Sequence, residues 1–393
     1  MHKPYPMAKN SNLSQAKSAK NDEFYTQYAD IQKEVNAYFE YNPDVFRGKT
    51  ILLPCDDPEW SNFTKFFVQN FAFFGLRKLI STSYAIESKK YKTDWQPTLF
   101  ETENPKYNAD KSKVCGKIYT LTGDTNNSGR IDIDDLQWEY LNGDGDFRSD
   151  EVTALRDEAD IIITNPPFSL FREFLAWINE GHKQFLLIGN MNAITYKEVF
   201  PLIKENKMWL GNGSNLSMVF KTIYTNNLEA NRKYVISKGY DPDQNYIKTP
   251  ACAWFTNLDL NKRHEPLQLM SMEDNILYSK HKEIQNIGYQ HYDNYDAIEV
   301  PYTDAIPSDY DGVMGVPISF LDKYCPEQFE IVWRGGDMEW AEQECSFFTP
   351  PTEELAVRYK KADPTWRVQN PYIKDSDGNA HTVYQRILIR KKQ

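Results

Sequence analysis

The chain has 393 residues, of which 40% are hydrophobic and 26% are charged, so it can form two or three domains with buried cores. No stretch approaches 18 consecutive apolar residues, which excludes a transmembrane helix. Residues 1–20 are polar and rich in lysine, and we expect a mobile basic leader there and no secretory signal.

The cysteines and the charge narrow the class of protein further. Five cysteines without a Cys-x-x-Cys pair argue against a disulfide framework and a structural zinc site, and favour the cytoplasm. The net charge of −11 is not the overall signature of a protein that binds nucleic acid. Any contact with a polyanion must therefore come from a locally basic surface.

The first half of the chain alternates between two apolar patterns. Spacings of three and four residues predict helices, and short apolar runs ended by turn residues predict buried strands. The predicted helices are at 21–39, 61–74, 169–179 and 196–205. The predicted strands are at 49–53, 76–81, 114–121, 160–164 and 185–189. Strands that alternate with helices are typical of a parallel α/β sheet.

An acidic, turn-rich stretch occupies residues 122–150, and a helix is predicted within it at 134–141. Part of this stretch has the spacing of a calcium-binding loop, with oxygen-bearing side chains at Asp124, Asn126, Ser128, Asp132 and Asp135. The alternative interpretation is an acidic insertion without a metal. We assign no metal to the catalytic chemistry.

After about residue 224 the pattern becomes less regular, with short strands between polar segments. The last strand of the sheet is predicted at 251–256. We therefore expect a catalytic domain at 21–260 and an irregular α+β recognition region at 261–393.

The end of the chain is basic. From 356 to 393 there are nine lysines and arginines and three acidic residues, which gives 9 − 3 = +6. The residues that we predict to contact phosphates are Lys360, Lys361, Arg386, Arg390, Lys391 and Lys392. The alternative is that Ile387, Leu388 and Ile389 form a packed strand whose end these charges solvate.

The strongest motif is Asn165-Pro166-Pro167-Phe168, directly after the predicted strand 160–164. Ligands of parallel α/β sheets bind beyond the carboxyl ends of the strands, which is where this motif lies. Two consecutive prolines make the turn rigid, so that it aims the Asn165 side chain and nearby carbonyl groups outward.

Such a turn suits methylation of an exocyclic amine, whose lone pair is delocalised into its ring. The Asn165 side-chain oxygen and the Pro166 carbonyl can accept the two amine hydrogens and direct the lone pair towards a methyl group. Phe168 offers a face for stacking an extruded base.

Asn165-Pro166-Pro167-Phe168 matches the catalytic motif of amino-methyltransferases that use S-adenosyl-L-methionine. Several other segments resemble the EcoRI-type family of adenine-specific DNA methyltransferases. These segments are 21–27, 55–58 with 61–63, 145–149, 188–193 and 315–324. The resemblance implies an α/β, Rossmann-like class I methyltransferase sheet with helices on both faces. It also implies transfer of a methyl group to the N6 amine of an adenine flipped out of double-stranded DNA.

The same resemblance implies a set of residues that contact S-adenosyl-L-methionine. Phe24, Tyr25 and Thr26 lie in the N-terminal motif that contacts the methionine end of the cofactor. Asp146 and Phe147 flank its adenine. The residues implied around the first strand are Cys55, Asp56, Asp57, Asn62 and Phe63. Asp56 or Asp57 is the candidate for the charged or hydroxyl groups of the cofactor, although the acid pair can also be a helix N-terminus.

The resemblance also implies partners. A monomeric enzyme acts on DNA, with a restriction endonuclease for the same site as a candidate partner. Methylation of RNA adenine or of a protein glutamine uses a similar turn, and a non-catalytic DNA-binding relative is a third alternative. The intact motif argues against the last of these.

Overall fold

A computed structural model describes residues 26–56, 61–85, 102, 104–214, 216–221, 232–244, 246–335, 346, 348–383 and 385–392. The predicted leader and the predicted site residues Phe24, Tyr25 and Asp57 lie outside these ranges. The chain divides into two compact units. The first contains the described residues up to Ala193 together with Leu210–Leu260, and the second contains Ile194–Trp209 together with those from Asn261 onward. The sequence pattern did not indicate that Ile194–Trp209 belongs with the second unit.

The largest sheet has nine strands in the order β4-β3-β2-β1-β5-β6-β9-β7, with β8 paired to β9. These strands are β1 (Thr50–Leu53), β2 (Lys78–Ser83), β3 (Lys117–Leu121), β4 (Gln137–Tyr140), β5 (Ile161–Thr164), β6 (Gln184–Asn190), β7 (Trp209–Leu210), β8 (Leu216–Lys221) and β9 (Tyr246–Thr256). The adjacent strands β2, β1, β5 and β6 are parallel. Ile51–Leu53 of β1 and Ile161–Ile163 of β5 are completely buried, as expected for central parallel strands.

The parallel arrangement expected from the sequence is confirmed for these four central strands, but the outer strands of the sheet are antiparallel. Strand β3 pairs antiparallel with β2 and with β4, and β9 pairs antiparallel with β6 and with β8. Antiparallel neighbours need only a chain reversal between them, whereas parallel neighbours need a crossover. The fold is therefore mixed α/β, with a large mixed sheet flanked by helices.

The helices of the first unit are α1 (Tyr28–Tyr41), α2 (Asn62–Gln69), α3 (Phe71–Phe74), α4 (Lys111–Val114), α5 (Asp150–Glu158), α6 (Phe171–Glu180) and α8 (Arg232–Ser237). The second unit contains α7 (Phe200–Lys204), α9 (Met272–Tyr278), α10 (Lys282–Ile287) and α11 (Glu353–Ala362). The predicted helix 61–74 is divided at Asn70, and the predicted helix 196–205 shortens to α7. Among the described residues, no helix combines the length and the apolar character that crossing a membrane requires.

The helix predicted at 134–141 is also a correction. A 3₁₀ turn at Ile133–Asp135 is followed by β4. Within β4, Gln137 and Glu139 are exposed and Trp138 is buried, which is the alternation of a strand with one face in the core.

The acidic loop before β4 is closed by hydrogen bonds to its own main chain. Asp124 accepts bonds from the amides of Ser128 and Gly129, at 3.0 and 2.8 Å. Buried Asp135 accepts one from the amide of Thr125 at 2.7 Å. The main-chain amide of Asp132, together with the other donors, holds the pKa of Asp135 below its usual value. These bonds account for the conformation of the loop.

The second unit contains a four-stranded sheet in the order β10-β11-β15-β12 and the hairpin β13-β14. The strands are β10 (Ile298–Glu299), β11 (Met314–Pro317), β12 (Phe329–Arg334), β13 (Tyr372–Lys374), β14 (Ala380–Thr382) and β15 (Arg386–Lys391). Ile387–Ile389 of β15 are completely buried between β11 and β12. The alternative of a packed terminal strand is therefore correct.

Arg386 cannot serve as a phosphate contact in this conformation, because its guanidinium is buried against Glu299. Its Nε lies 3.0 Å from Glu299 Oε1, and Tyr292 Oη also donates to this carboxylate. Four positions along β15, Arg390 pairs with Glu330 at 2.9 Å, but that pair is largely exposed. The same strand therefore carries one buried ion pair, at Arg386, and one exposed ion pair, at Arg390.

We expect the two pairs to differ in their effect on stability. Arg386→Ala leaves the buried Glu299 carboxylate without its partner and should lower the free energy of unfolding by about 3–5 kcal/mol. Arg390→Ala should change it by less than about 1 kcal/mol. Urea denaturation of both variants measures the difference, and equal effects would show that the Arg386–Glu299 pair is not energetically special.

Candidate active site

The Asn-Pro-Pro-Phe turn begins where β5 ends. Thr164 is the last residue of β5, and Asn165 follows it at the carboxyl edge of the sheet. Strand β1 has β2 on one side and β5 on the other, so the order of the parallel strands reverses between β1 and β5. The turn lies at the carboxyl end of β5, next to this switch point. Such a switch point is the usual binding position in open α/β sheets. Pro166 is buried, and the Pro167 carbonyl accepts a bond from the Leu170 amide at 2.9 Å, which starts the turn into α6.

The Asn165 side chain is held by the residues that precede α1. Asn165 Nδ2 donates to Thr26 Oγ1 at 3.4 Å, and the Thr26 carbonyl accepts a bond from Asn62 Nδ2 at 2.8 Å. The amide nitrogen thus faces Thr26, which sets the direction in which the amide oxygen points. Three residues predicted for the site from separate sequence segments are therefore in one cluster.

Asp56 is the buried centre of this edge, with 6% of its surface exposed. Its Oδ1 accepts a bond from Ser61 Oγ and its Oδ2 accepts one from Thr164 Oγ1, each at 2.6 Å. Its main-chain carbonyl accepts bonds from Thr64 Oγ1 at 3.2 Å and from Ser81 Oγ. One residue thus joins the ends of β1, β2 and β5 and the start of α2.

These contacts close into a ring, which we call the Asp56 ring. It runs from Asp56 to Thr164 and its neighbour Asn165, on to Thr26, then to Asn62 and its neighbour Ser61, and back to Asp56. Ser61 and Thr164 were not predicted as site residues, although Ser61 lies in the family-like segment 61–63. The local signal that both share is that each hydroxyl directly precedes a predicted site residue.

The two remaining residues after β1 differ in environment. Cys55 is exposed at the end of the strand. The Phe63 ring is buried, with 1% exposed, and its centroid lies 5.9 Å from that of Trp254 in an edge-to-face contact. In this conformation Phe63 belongs to the core, whereas Cys55 is accessible.

Asp146 lies beside the end of β2. It accepts a bond from Tyr84 Oη at 3.1 Å, and Arg148 holds both carboxylate oxygens through Nε at 2.9 Å and Nη2 at 2.6 Å. Burial opposes ionisation, but the bonds from Arg148 outweigh it, so the pKa of Asp146 lies below its usual value. Asp146 is therefore an ionised carboxylate held in place by Arg148 at this edge.

The neighbours of Asp146 explain how its loop reaches β2. Gly145 has φ +85°, and a Cβ there would lie 2.4 Å from the Ser83 carbonyl, so only glycine allows this approach. The Phe147 ring is 5% exposed and packs edge-to-face on Phe174 and Trp177, at 4.9 and 5.6 Å between centroids.

Phe168 is half-buried at the start of the turn into α6. Its ring meets Phe220 of β8 edge-to-face, with 6.4 Å between centroids. Within the ranges that the structure describes, no cluster of three or more His, Cys, Asp or Glu side chains is placed to hold a metal ion.

A large mixed α/β sheet that carries this turn at its switch point is consistent with a methyltransferase. Residues 12–392 match the family described as Adenine-specific methyltransferase EcoRI. Type II methyltransferase M.EcoRI of Escherichia coli is 42% identical over 328 residues, which cover 83% of this chain and 89% of that protein. Type II methyltransferase M.MpnI of Mycoplasma pneumoniae is 32% identical over 395 residues, with 97% and 98% covered. No solved structure gives a significant match.

The chain therefore belongs to the EcoRI family of adenine-specific methyltransferases. The resemblance inferred from the sequence motifs is confirmed, and the protein is an enzyme of this class.

Proposed function

We propose that the chain methylates the N6 amine of adenine at specific sites in double-stranded DNA, with S-adenosyl-L-methionine as the methyl donor. The observation that supports this most directly is the position of Asn165. It follows β5 at the switch point of the sheet, and its amide is oriented by Thr26.

In the proposed mechanism, the protein acts by positioning and needs no covalent intermediate. The side-chain oxygen of Asn165 and the carbonyl of Pro166 accept the two hydrogens of the N6 amine, which favours tetrahedral geometry at nitrogen. The nitrogen lone pair is then directed at the methyl group, and the rigid turn keeps this geometry. Phe168 supplies a face for the extruded adenine, a contact that is worth about 1–3 kcal/mol.

S-adenosyl-L-methionine fits the groups at this edge of the sheet. It supplies a methyl group on a positively charged sulfur, and it carries an ammonium group, ribose hydroxyls and an adenine. Asp146 offers a carboxylate beside Tyr84, and Cys55 is exposed in the segment that follows β1. We therefore propose that Thr26, Cys55 and Asp146 contact the cofactor, within a class I, Rossmann-like arrangement of the sheet.

DNA binding requires a locally basic surface, and three lysines of the first unit are candidates for it. Lysines lie over tyrosine rings along β8, β9 and α8 in what we call the lysine–tyrosine cluster. Its members are Lys221, Tyr234, Lys238, Tyr240, Tyr246 and Lys248. Nζ of Lys248 is 4.4 Å from the centre of the Tyr234 ring, and Nζ of Lys221 is 5.9 Å from that of Tyr246.

Charge complementarity supports phosphate contacts at this cluster. Among the described residues, none of its three lysines forms an ion pair. Burial raises the pKa of the nearby Asp30 carboxyl, and the charge of Lys238 opposes this rise. By contrast, Lys374 and Arg390 in the basic tail pair with Asp293 and Glu330. A tyrosine ring holds an ammonium group without cancelling its charge, whereas a carboxylate cancels it. We propose that phosphates meet the lysine–tyrosine cluster and not the paired residues of the tail.

Asn165→Ala should abolish methyl transfer and leave cofactor binding within about threefold, because the removed oxygen contacts the substrate amine. The measurement is transfer of labelled methyl from S-adenosyl-L-methionine to duplex DNA, RNA and protein, together with the dissociation constant of the cofactor. Retention of more than about a tenth of the wild-type turnover would contradict the role of Asn165.

The same assay separates the alternatives for the wild-type protein. Label in RNA or in protein glutamine, with none in DNA, would show that DNA is not the methyl acceptor and would contradict the proposal. Specific DNA binding without any transfer identifies a protein that only reads sequence.

Cofactor binding should protect Cys55 from alkylation by iodoacetamide, because this thiol is exposed at the proposed binding edge. Cys252 is the internal control, since it is buried and burial raises its pKa to about 12. Peptide mass spectrometry gives the alkylation rate of each cysteine with and without S-adenosyl-L-methionine. An unchanged rate at Cys55 would remove it from the cofactor site.

The double variant Lys221→Gln, Lys248→Gln should lower the slope of log affinity against log salt by roughly two, because each phosphate contact contributes about 0.9. The matched control is Lys374→Gln, Arg390→Gln, in which both cations are already ion-paired and the slope should not change. The loss should be equal for specific and unrelated duplexes, since phosphate contacts carry no sequence information. If only the control pair lowers the slope, the tail binds the phosphates.

A further inference from the structure

We infer that Asp56 is a positioning residue for the catalytic turn, and that it acts on Asn165 through the hydroxyl of Thr164. This rests on the proposed function of Asn165 and replaces the sequence-based expectation that the Asp56 carboxylate contacts the cofactor.

The geometry of the carboxylate carries the inference. Its two oxygens are 2.6 Å from the hydroxyls of Ser61 and Thr164, and all three residues are buried. Hydrogen bonds to an ionised group are shorter and stronger than neutral ones, and distances of this length are typical of them. Both oxygens of the carboxylate thus accept hydrogen bonds from protein hydroxyls.

The position of Thr164 in the chain links its hydrogen bond with Asp56 to the catalytic turn. Thr164 is the last residue of β5, and Asn165 is the next residue in the chain. A β-branched side chain has few rotamers, so a hydroxyl held at 2.6 Å fixes the backbone at which the turn begins. The two prolines that follow carry this orientation into the turn.

A second anchor holds the Asn165 side chain. Thr26 Oγ1 accepts from Asn165 Nδ2 at 3.4 Å, and Asn62 Nδ2 ties the carbonyl of Thr26 to the start of α2 at 2.8 Å. Ser61, which precedes Asn62, bonds to Asp56. The backbone and the side chain of Asn165 are therefore positioned from the same buried carboxylate, by two routes around the Asp56 ring.

The matched residue for a test is Thr64. Like Thr164, it is a completely buried threonine whose hydroxyl bonds to Asp56. Its partner is the main-chain carbonyl of Asp56, and its other bond is to Ser81 at 2.9 Å, so it lies outside the ring that leads to Asn165. Both threonines can be changed to valine, which keeps the shape and removes the hydroxyl.

In the experiment, turnover, the KM for DNA and the dissociation constant of S-adenosyl-L-methionine are measured for the full-length wild type, Thr164→Val, Thr164→Ser and Thr64→Val. We expect Thr164→Val to lower kcat by up to about a hundredfold, the loss that a misplacement of about 1 Å can cause. Cofactor affinity should stay within about threefold, Thr164→Ser should recover most of kcat, and Thr64→Val should lower the melting temperature while keeping kcat.

Equal kcat values for Thr164→Val and Thr64→Val would overturn the inference, because the bond would then be structural only. Asp56→Asn gives a second test, since the amide keeps the shape and removes the charge. Weaker cofactor binding with normal kcat in Asp56→Asn would restore the cofactor-contact interpretation. A wild-type protein without methyl transfer to DNA would instead contradict the proposed function, so the two failures are distinguishable.

Discussion

The structure of the sheet edge that carries the Asn-Pro-Pro-Phe turn depends on a buried carboxylate. A charge removed from water is costly unless strong hydrogen bonds replace its hydration. For Asp56 these come from Ser61 and Thr164, which lie on two separate elements of the first unit. Because the carboxylate is satisfied only when β1, β5 and α2 are all in place, the same bonds that make its burial tolerable also determine where the Asn-Pro-Pro-Phe turn begins.

Local signals were sufficient to locate the turn and the central strands. The runs 49–53, 160–164 and 185–189 correspond to β1, β5 and β6 with end points shifted by one residue, because three or four consecutive apolar residues between turn residues favour a short buried strand. Two prolines after such a run likewise define a turn wherever they occur. The residues of the turn could therefore be selected before their contacts were known, whereas Thr26, Asp56 and Asn62 were selected because their segments resemble the family.

Features that depend on distant partners could not be predicted in this way. The Thr164 hydroxyl and the Asp56 carboxylate are 108 positions apart, and a buried threonine after an apolar run looks like any other strand residue. The antiparallel strand β4 was mistaken for a helix because its short run is stabilised by pairing with β3, not by its own periodicity. Arg386 was counted as a free cation for the same reason, since Glu299 lies 87 positions away.

Arg386 also illustrates why the net charge of a sequence segment is a weak guide to nucleic-acid binding. The basic tail has a surplus of +6, yet three of its six predicted phosphate contacts have protein partners: Arg386 and Arg390 pair with carboxylates, and the Lys391 ammonium group donates to the Ser308 carbonyl. At physiological salt, fields from exposed charges fade over about 8 Å, so a phosphate responds to the nearest cations and their partners and not to a total over the segment. The lysines of β8 and β9 lie over tyrosine rings, which leave their charge intact. In a chain with a net charge of −11, we therefore expect the chemical nature of each cation's partner to decide which surface attracts DNA.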